Sequence, residues 1–411
     1  MKQEFKIGKA GKRGDKIRSD CYLEIKLTKS GGINFSVQSK VGSLYGESIN
    51  EILFDMCKFF EIKNANIYLE DYGALPFTIA ARFEAAYKII CPDDPREYLL
   101  PMNKNNFYKK EKDNFRRSRL YLPGNEPKYF PNAGLHKPDA IILDLEDSVP
   151  PEEKVAARYL VRNALRAVDF YGAERMVRIN QLPMGLDDLY FVVPHNVHVI
   201  LIPKCESAMT VKDVEEEINI IKAQQNIFDT IYLMPIIESA LGVIKAYEIA
   251  TASDLICALT IGLEDYTADI GVERTIEGKE SFYARSVIIN AAKAAGIQAI
   301  DSVFSDVNDM EGLRQSVLEA KALGFEGKGC IHPRQIKIVH DAFAPSPNEI
   351  EKAKKIILAF EEAKKQGTGV ITIGSKMIDA PVVKRAQRII ELAIKNGLLD
   401  NDWMKNEKLS L

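Results

Sequence analysis

AIILDLED (residues 140–147), TIYLMPIIES (230–239) and LICALTIGLED (255–265) are short apolar runs that each close on carboxylates, and their reading decides the fold. Each is long enough for one buried strand and too short for a core helix. Five more runs of the same kind surround them: SRLYLPG (118–124), RMVRIN (175–180), VHVILIPK (197–204), QAIDSVFSD (298–306) and EGKGCIHP (326–333). Amphipathic segments such as PEEKVAARYLVRNALRAV separate most of them. Strands and helices alternating at about thirty-residue spacing specify a parallel sheet, and eight strands favour closure as a (β/α)8 TIM barrel over an open doubly wound sheet. The connection MGLDDLYFVVPHN, with only a short helix, is the weakest of the series.

The runs also end alike. Asp144, Glu146 and Asp147 close the second, Arg178 and Asn180 the third, Lys204 the fourth, Glu238 the fifth, Glu264 and Asp265 the sixth, Asp301 and Asp306 the seventh, and His332 the eighth. In a barrel these ends form one rim, where active sites sit. A single carboxylate there reads as a helix cap or ion pair, but a ring of them with one Arg and one Lys reads as a site. Glu238 and Asp265, at the ends of neighbouring strands, suit a hard cation that keeps water and substrate oxygens in its shell, as Mg²⁺ does. A cap on the next helix is the plainer reading of Asp265 alone. Arg178 offers a planar fork to a carboxylate or a developing enolate oxygen, or else neutralises Glu146. Lys204 raises a rival, Schiff-base chemistry, against which the acidic rim would keep it protonated.

Two composition breaks divide the chain. Residues 91–114, rich in Pro, Asn and charge, read as a linker after an N-terminal domain (1–90), and the break near Pro345 and Pro347 separates the barrel (115–345) from a C-terminal helical arm (346–411). The net charge of −3 over 411 residues provides no field to recruit nucleic acid or an anionic membrane. No run of about 18 apolar residues appears and the basic N-terminus lacks a signal-peptide core, so a cytoplasmic location is expected. The six cysteines show no C-x-x-C spacing and read as reduced core residues. His195 and His198 precede an apolar run with no third ligand in sight, which argues against a metal pair.

At these residues the sequence resembles the citrate lyase β-subunit, within the malyl-CoA and citryl-CoA lyase family. The resemblance covers about residues 115–400 through RSRLYLPGNEPKYFPNAG, PDAIILDLEDSVPPEEKVAAR, VRINQL, LIPKCESA, MPIIESALGV, GLEDYTADIGVER, AIDSVFSDVNDMEG, GFEGKGCIHPRQI and GSKMIDAPVVKRAQRII. It implies Mg²⁺, with Mn²⁺ as an alternative, on Glu238 and Asp265. It implies Arg178 facing the substrate, with Glu146 and Asp147 in support. The aspartate of KMIDAP, Asp379, would come from a neighbouring subunit, making a homo-oligomer (a trimer or hexamer) necessary. Arg178, Asp379 and Lys204 form the expected catalytic set, and Arg178, Glu146, Asp147 and Arg117 the substrate-binding set. The implied reaction is cleavage of a citryl-like thioester to a 2-oxo acid and an acetyl thioester, with citramalyl-CoA or malyl-CoA as alternative substrates and a non-catalytic subunit scaffold as a reading of another class.

About residues 5–90 resemble a second protein, the acyl carrier (γ) subunit of citrate lyase, through KAGKRGDKIRSDCYLEI, INFSVQSKVGSLYGESINEIL and LEDYGALPFTIAARFEAA. That resemblance implies a small α+β fold, a phosphoribosyl dephospho-CoA arm on a serine two positions before an aspartate, and an acyl-transferring α-subunit as partner. Here Gly14 and Asp20 keep the spacing, but Arg18 holds the serine position and Ser19 follows it. A guanidinium cannot form the phosphodiester. Either Ser19 substitutes, or the module carries nothing and the barrel works on free CoA thioesters. The basic residues Lys9, Lys12, Arg13, Lys16 and Arg18 read as a phosphate-binding run or as a solvated arm.

Overall fold

A computed structural model of the chain describes residues 6–365, 371–373 and 376–404, and it divides into two compact units, residues 6–336 and the C-terminal part from 337 onward. The first unit contains both the N-terminal module and the barrel. In the module, β1 (Ile7–Gly11), β2 (Cys21–Leu27), β3 (Ile33–Ser39) and β4 (Ala65–Asp71) form a sheet in the order β1-β2-β4-β3. Helices α1 (Gly42–Phe59) and α2 (Pro76–Ile90) complete the α+β fold. Alternation in β2 buries Cys21, Leu23 and Ile25, and these apolar side chains form the core beneath the helices.

Eight parallel strands then close on themselves: β5 (Ser118–Pro123), β6 (Ala140–Asp144), β7 (Glu174–Arg178), β8 (Val199–Ile202), β9 (Tyr232–Ile237), β10 (Ala258–Ile261), β11 (Gln298–Asp301) and β12 (Gly327–Cys330), which pairs back onto β5. All eight apolar runs contribute a strand. Ile142, Met176, Leu201, Met234, Ile236 and Ile300 pack together in the core. Ser207, Ser239 and Asp309 cap the helices that follow β8, β9 and β11, each accepting a backbone N–H from three residues on.

The connection expected to be weakest does carry a helix, Met184–Val192, whereas the link from β5 to β6 carries only two three-residue 3-10 turns. The module covers that gap. Its α2 packs on α3 (Lys154–Ala167), the helix after β6, and Phe77 stacks on the buried Phe130 of the β5–β6 link at 6.3 Å between ring centres. Between α2 and α3, Glu84 takes two hydrogen bonds from the Arg162 guanidinium (2.6 and 3.1 Å), and both side chains are fully excluded from solvent.

Residues 91–114, expected as a linker, are pinned to the barrel. The Asn103 N–H donates to the Arg166 carbonyl (2.7 Å), the Asn106 side chain to Leu165 and Val168 carbonyls, and the Tyr108 hydroxyl to the Ala173 carbonyl. The polar side chains that suggested a free tether satisfy carbonyls at the end of α3 instead. His195 and His198 are buried beside Arg166 and Arg175; burial, then those cations, pushes both imidazoles down to about 3, a setting for neutral structural histidines.

In the C-terminal unit, helices Pro347–Lys365 and Ala380–Lys395 share a core of Ile350, Ala353, Ile357, Ala386, Ile390, Ala393 and Trp403. Among the described residues no helix is long and apolar enough to cross a membrane.

Removing one partner of a buried pair leaves the other charge uncompensated. Glu84→Ala is therefore expected to destabilise the first unit by about 3–5 kcal/mol in chemical unfolding, and an unchanged midpoint would show that the module is not held through Arg162.

Candidate active site

Register brings the first two site residues together. Asp144 and Arg178 are aligned partners at the ends of β6 and β7. Arg178 Nε and Nη2 each donate to the Asp144 carboxylate at 2.7 Å, a bidentate clamp over the face of Tyr121. Burial would raise the Asp144 carboxyl, but Arg178 holds it below its ordinary value, and Asp144 in turn keeps Arg178 above its own. The remaining donor, Nη1, faces Asp147 Oδ2 (3.2 Å) and Glu146 Oε2 (2.9 Å). The Glu146 contact lacks hydrogen-bond alignment, so that buried oxygen has no donor.

Lys204 lies at the centre of the acidic residues. Its Nζ is 3.5 Å from Asp265, 3.9 Å from Glu146 and 4.0 Å from Asp147. Burial opposes its charge, but Asp265, Asp147 and Glu146 outweigh it and hold the ammonium above its ordinary range. A lysine so held is a poor imine-forming nucleophile. Its backbone adopts φ 45°, which aims the Lys204 N–H at Glu238 Oε1 (2.7 Å). Glu238 is buried; a Cβ on Gly262 would meet its Oε2 at 2.5 Å, so only glycine leaves that carboxylate room.

Two carboxyls here are set high. Burial, and then the charges of Glu146 and Asp265, pushes Glu238 up to about 8 against the Lys204 N–H. Burial and Asp147 push Glu146 up to about 7 despite Arg178. Carboxylates crowded beyond what one arginine and one lysine neutralise, with a buried oxygen lacking a donor, form the donor set that a hard divalent cation takes. Among the described residues no three His, Cys, Asp or Glu form a complete metal nest. Two carboxylates with open positions fit Mg²⁺, which keeps several waters.

Of the predicted site residues, Arg178, Glu146, Asp147, Lys204, Glu238 and Asp265 come together at the rim. Arg117 does not. It precedes β5, at the opposite end of the strand from the rim, and its guanidinium is held by Asp139 at 2.8 Å. Asp379 caps the helix Ala380–Lys395 of the C-terminal unit, accepting the Val382 N–H at 3.2 Å. Ser19 lies in the module, half-buried, with φ 53° and its N–H on the Tyr72 carbonyl. Asp144 was legible as a rim residue but not as the partner of Arg178. Gln181, which donates to Glu146 Oε1 (3.1 Å), and Lys154, which donates to the Glu146 carbonyl (2.8 Å), carried no such signal.

The family described as HpcH/HpaI aldolase/citrate lyase matches residues 117–333, which include every rim residue. The citrate lyase subunit beta of Leuconostoc mesenteroides is 43% identical over 301 residues, 72% of this chain and 99% of that protein. The chain belongs to this family. Its fold is that of the family, whose citrate lyase members are carbon–carbon lyases. The mitochondrial citramalyl-CoA lyase of Mus musculus is a more distant relative, 33% identical over 68% of this chain and 86% of its own. Among solved structures, the CitE protein of Mycobacterium tuberculosis in complex with magnesium, acetoacetate and coenzyme A aligns at a TM-score of 0.59 and 29% identity, over 69% of this chain and 99% of that one. Residues 14–90 match an acyl-carrier family described as malonate decarboxylase delta subunit.

Because the Arg178 fork is spent on Asp144, a lysine in its place keeps the charge but cannot hold Asp144 and face Glu146 and Asp147 at once. Arg178→Lys should lower turnover by roughly 10²-fold with little change in melting temperature; unchanged turnover would make the clamp purely structural.

Proposed function

We propose that the chain is a Mg²⁺-dependent lyase that cleaves a citryl-like 3-hydroxy-3-carboxy thioester into a 2-oxo acid such as oxaloacetate and an acetyl thioester. The carrying observation is the surplus of carboxylates on Glu238, Asp265 and Glu146 around one ammonium at the barrel rim. Glu238 and Asp265 would hold the ion, Mg²⁺ or Mn²⁺, which when bound supplies a Lewis acid for the substrate's hydroxyl and adjacent carboxylate oxygens.

The residues perform the rest. The hydroxyl proton passes to a base, the C–O bond becomes a carbonyl, and the carbon–carbon bond breaks with its electron pair moving into the thioester enolate. Arg178, fixed by Asp144, turns Nη1 towards that developing charge, and Lys204 adds a second cation near it. Asp379, supplied by a neighbouring subunit of a homo-oligomer, takes the hydroxyl proton and returns a proton to the enolate carbon, which becomes the methyl group of the acetyl thioester. Glu146 and Asp147 orient Arg178 and Lys204.

A second reading of the thioester's carrier rests on the module's loop. Arg18, in the serine position, is exposed, whereas Ser19 is half-buried in a constrained turn. This favours free CoA thioesters, citramalyl-CoA and malyl-CoA included, over an arm of phosphoribosyl dephospho-CoA on Ser19. An acyl-transferring α-subunit belongs to the carrier reading, whereas a cytoplasmic setting goes with either.

Asp265→Asn and Asp379→Asn should each abolish citryl-CoA cleavage while leaving the melting temperature nearly unchanged, as EDTA should for the unsubstituted chain. Mixed and allowed to exchange subunits, the two variants should regain part of the activity. Full activity in EDTA would remove the metal, and no recovery after verified exchange would place Asp379 on its own barrel.

A further inference from the structure

The N-terminal module meets the barrel in two places. One is the buried face of α2 on α3, anchored by Glu84 and Arg162. The second contact is of another kind. Lys12, in the loop after β1, sends its ammonium to Glu126 (2.5 Å) and to Glu153 (3.2 Å). Those two glutamates belong to the loops that follow β5 and β6. The base of the module's loop is itself fixed, since Asp20 and Arg82 form a buried bidentate pair (2.7 and 3.0 Å) and Arg82 also donates to the Asn125 carbonyl at 3.4 Å.

From Lys12 two short paths lead to the site. On the first, Asn125, beside Glu126, donates to Glu153 (2.6 Å), and the Gly124 N–H donates to the Asp144 carbonyl (2.7 Å). The backbones approach there so closely that a Cβ on Gly124 would lie 2.5 Å from that carbonyl. Asp144 is the residue that clamps Arg178. On the second, Lys154, next to Glu153, donates to the carbonyls of Leu145 (3.1 Å) and Glu146 (2.8 Å) and to the Asn180 side chain (2.5 Å). The loop bearing Glu146 and Asp147 is thereby tied to the start of α3.

We propose that Lys12 is a positioning residue of the lyase site, and that the N-terminal module works as a fixed brace of the rim. Its ammonium is the charge shared by Glu126 and Glu153, so it holds together the loops after the first two barrel strands and sets the Asp144–Arg178 clamp and Glu146. Without it, among the described residues Glu126 keeps only Lys128 (2.8 Å) and Glu153 only the Asn125 amide (2.6 Å), so the loops lose the cation that bridges both and loosen. The link from β5 to β6, with no α-helix of its own, depends on this outside support. Partly exposed ion pairs contribute little to global stability, so the effect belongs to the geometry of the site. The inference rests on the proposed reaction only in the choice of substrate to assay.

The test uses full-length Lys12→Met, Lys12→Arg and Glu153→Gln proteins, with hydrogen exchange and steady-state kinetics on citryl-CoA with Mg²⁺. Lys12→Met and Glu153→Gln should melt within about 2 °C of the parent. Both should exchange faster in peptides covering 124–126 and 144–154, and lose on the order of tenfold in kcat with a smaller change in KM. Lys12→Arg should restore most of both. Unchanged exchange in these loops in either variant overturns the brace, and faster exchange with unchanged kcat overturns its role in the site. If the parent does not cleave citryl-CoA, the substrate reading fails, while hydrogen exchange still decides the brace.

Discussion

The bidentate clamp of Arg178 on Asp144 fixes the charge balance from which the rest of the site follows. Parallel pairing of β6 with β7 aligns the two residues, and burial makes their ion pair obligatory, since either alone would be a desolvated charge. Once the arginine is so committed, only Nη1 is left for Glu146 and Asp147, and Lys204 alone stands among Glu146, Asp147 and Asp265. Burial first, and then the neighbouring carboxylates, raise Glu146 to about 7 and Glu238 to about 8. Near neutral pH protons relieve part of that crowding, and a divalent cation on the hard oxygen donors would relieve it while leaving the carboxylates ionised.

The same economy of supports explains the N-terminal module. A barrel whose β5–β6 link has no α-helix leaves Phe130 and the outer face of α3 to be covered, and α2 covers them. The Glu84–Arg162 pair fixes the register of that covering, because both buried charges are satisfied only when α2 sits where each finds the other. A match to an acyl-carrier family is therefore compatible with a module that does not swing.

Much of this was legible in the sequence. Eight apolar runs of strand length announce themselves whatever packs on them, and a polar residue at the C-terminal end of a barrel strand falls on the rim by topology alone. Glu238, Asp265, Arg178 and Lys204 were found that way. Arg117 was not, because a cation one residue before a strand sits at the other end of the barrel, where Asp139 binds it. The role of Asp144 was hidden among three acids in LDLED, since which of them meets Arg178 depends on register. The packed course of residues 91–114 was hidden for a different reason. Asn103, Asn106 and Tyr108 look solvent-seeking in sequence, but here they pair with barrel carbonyls that sequence patterning does not reveal.

The central claim, that the rim is built around a divalent cation, is tested most directly by crystals of the full-length protein soaked in Mn²⁺ and measured at its absorption edge. The account predicts one strong anomalous peak at the rim, within coordination distance of Glu238 and Asp265, with the Lys204 ammonium drawn back from Asp265 and the Arg178–Asp144 clamp intact. A rim without a peak at saturating Mn²⁺, or a peak that is bound only after Arg178 has released Asp144, would contradict it.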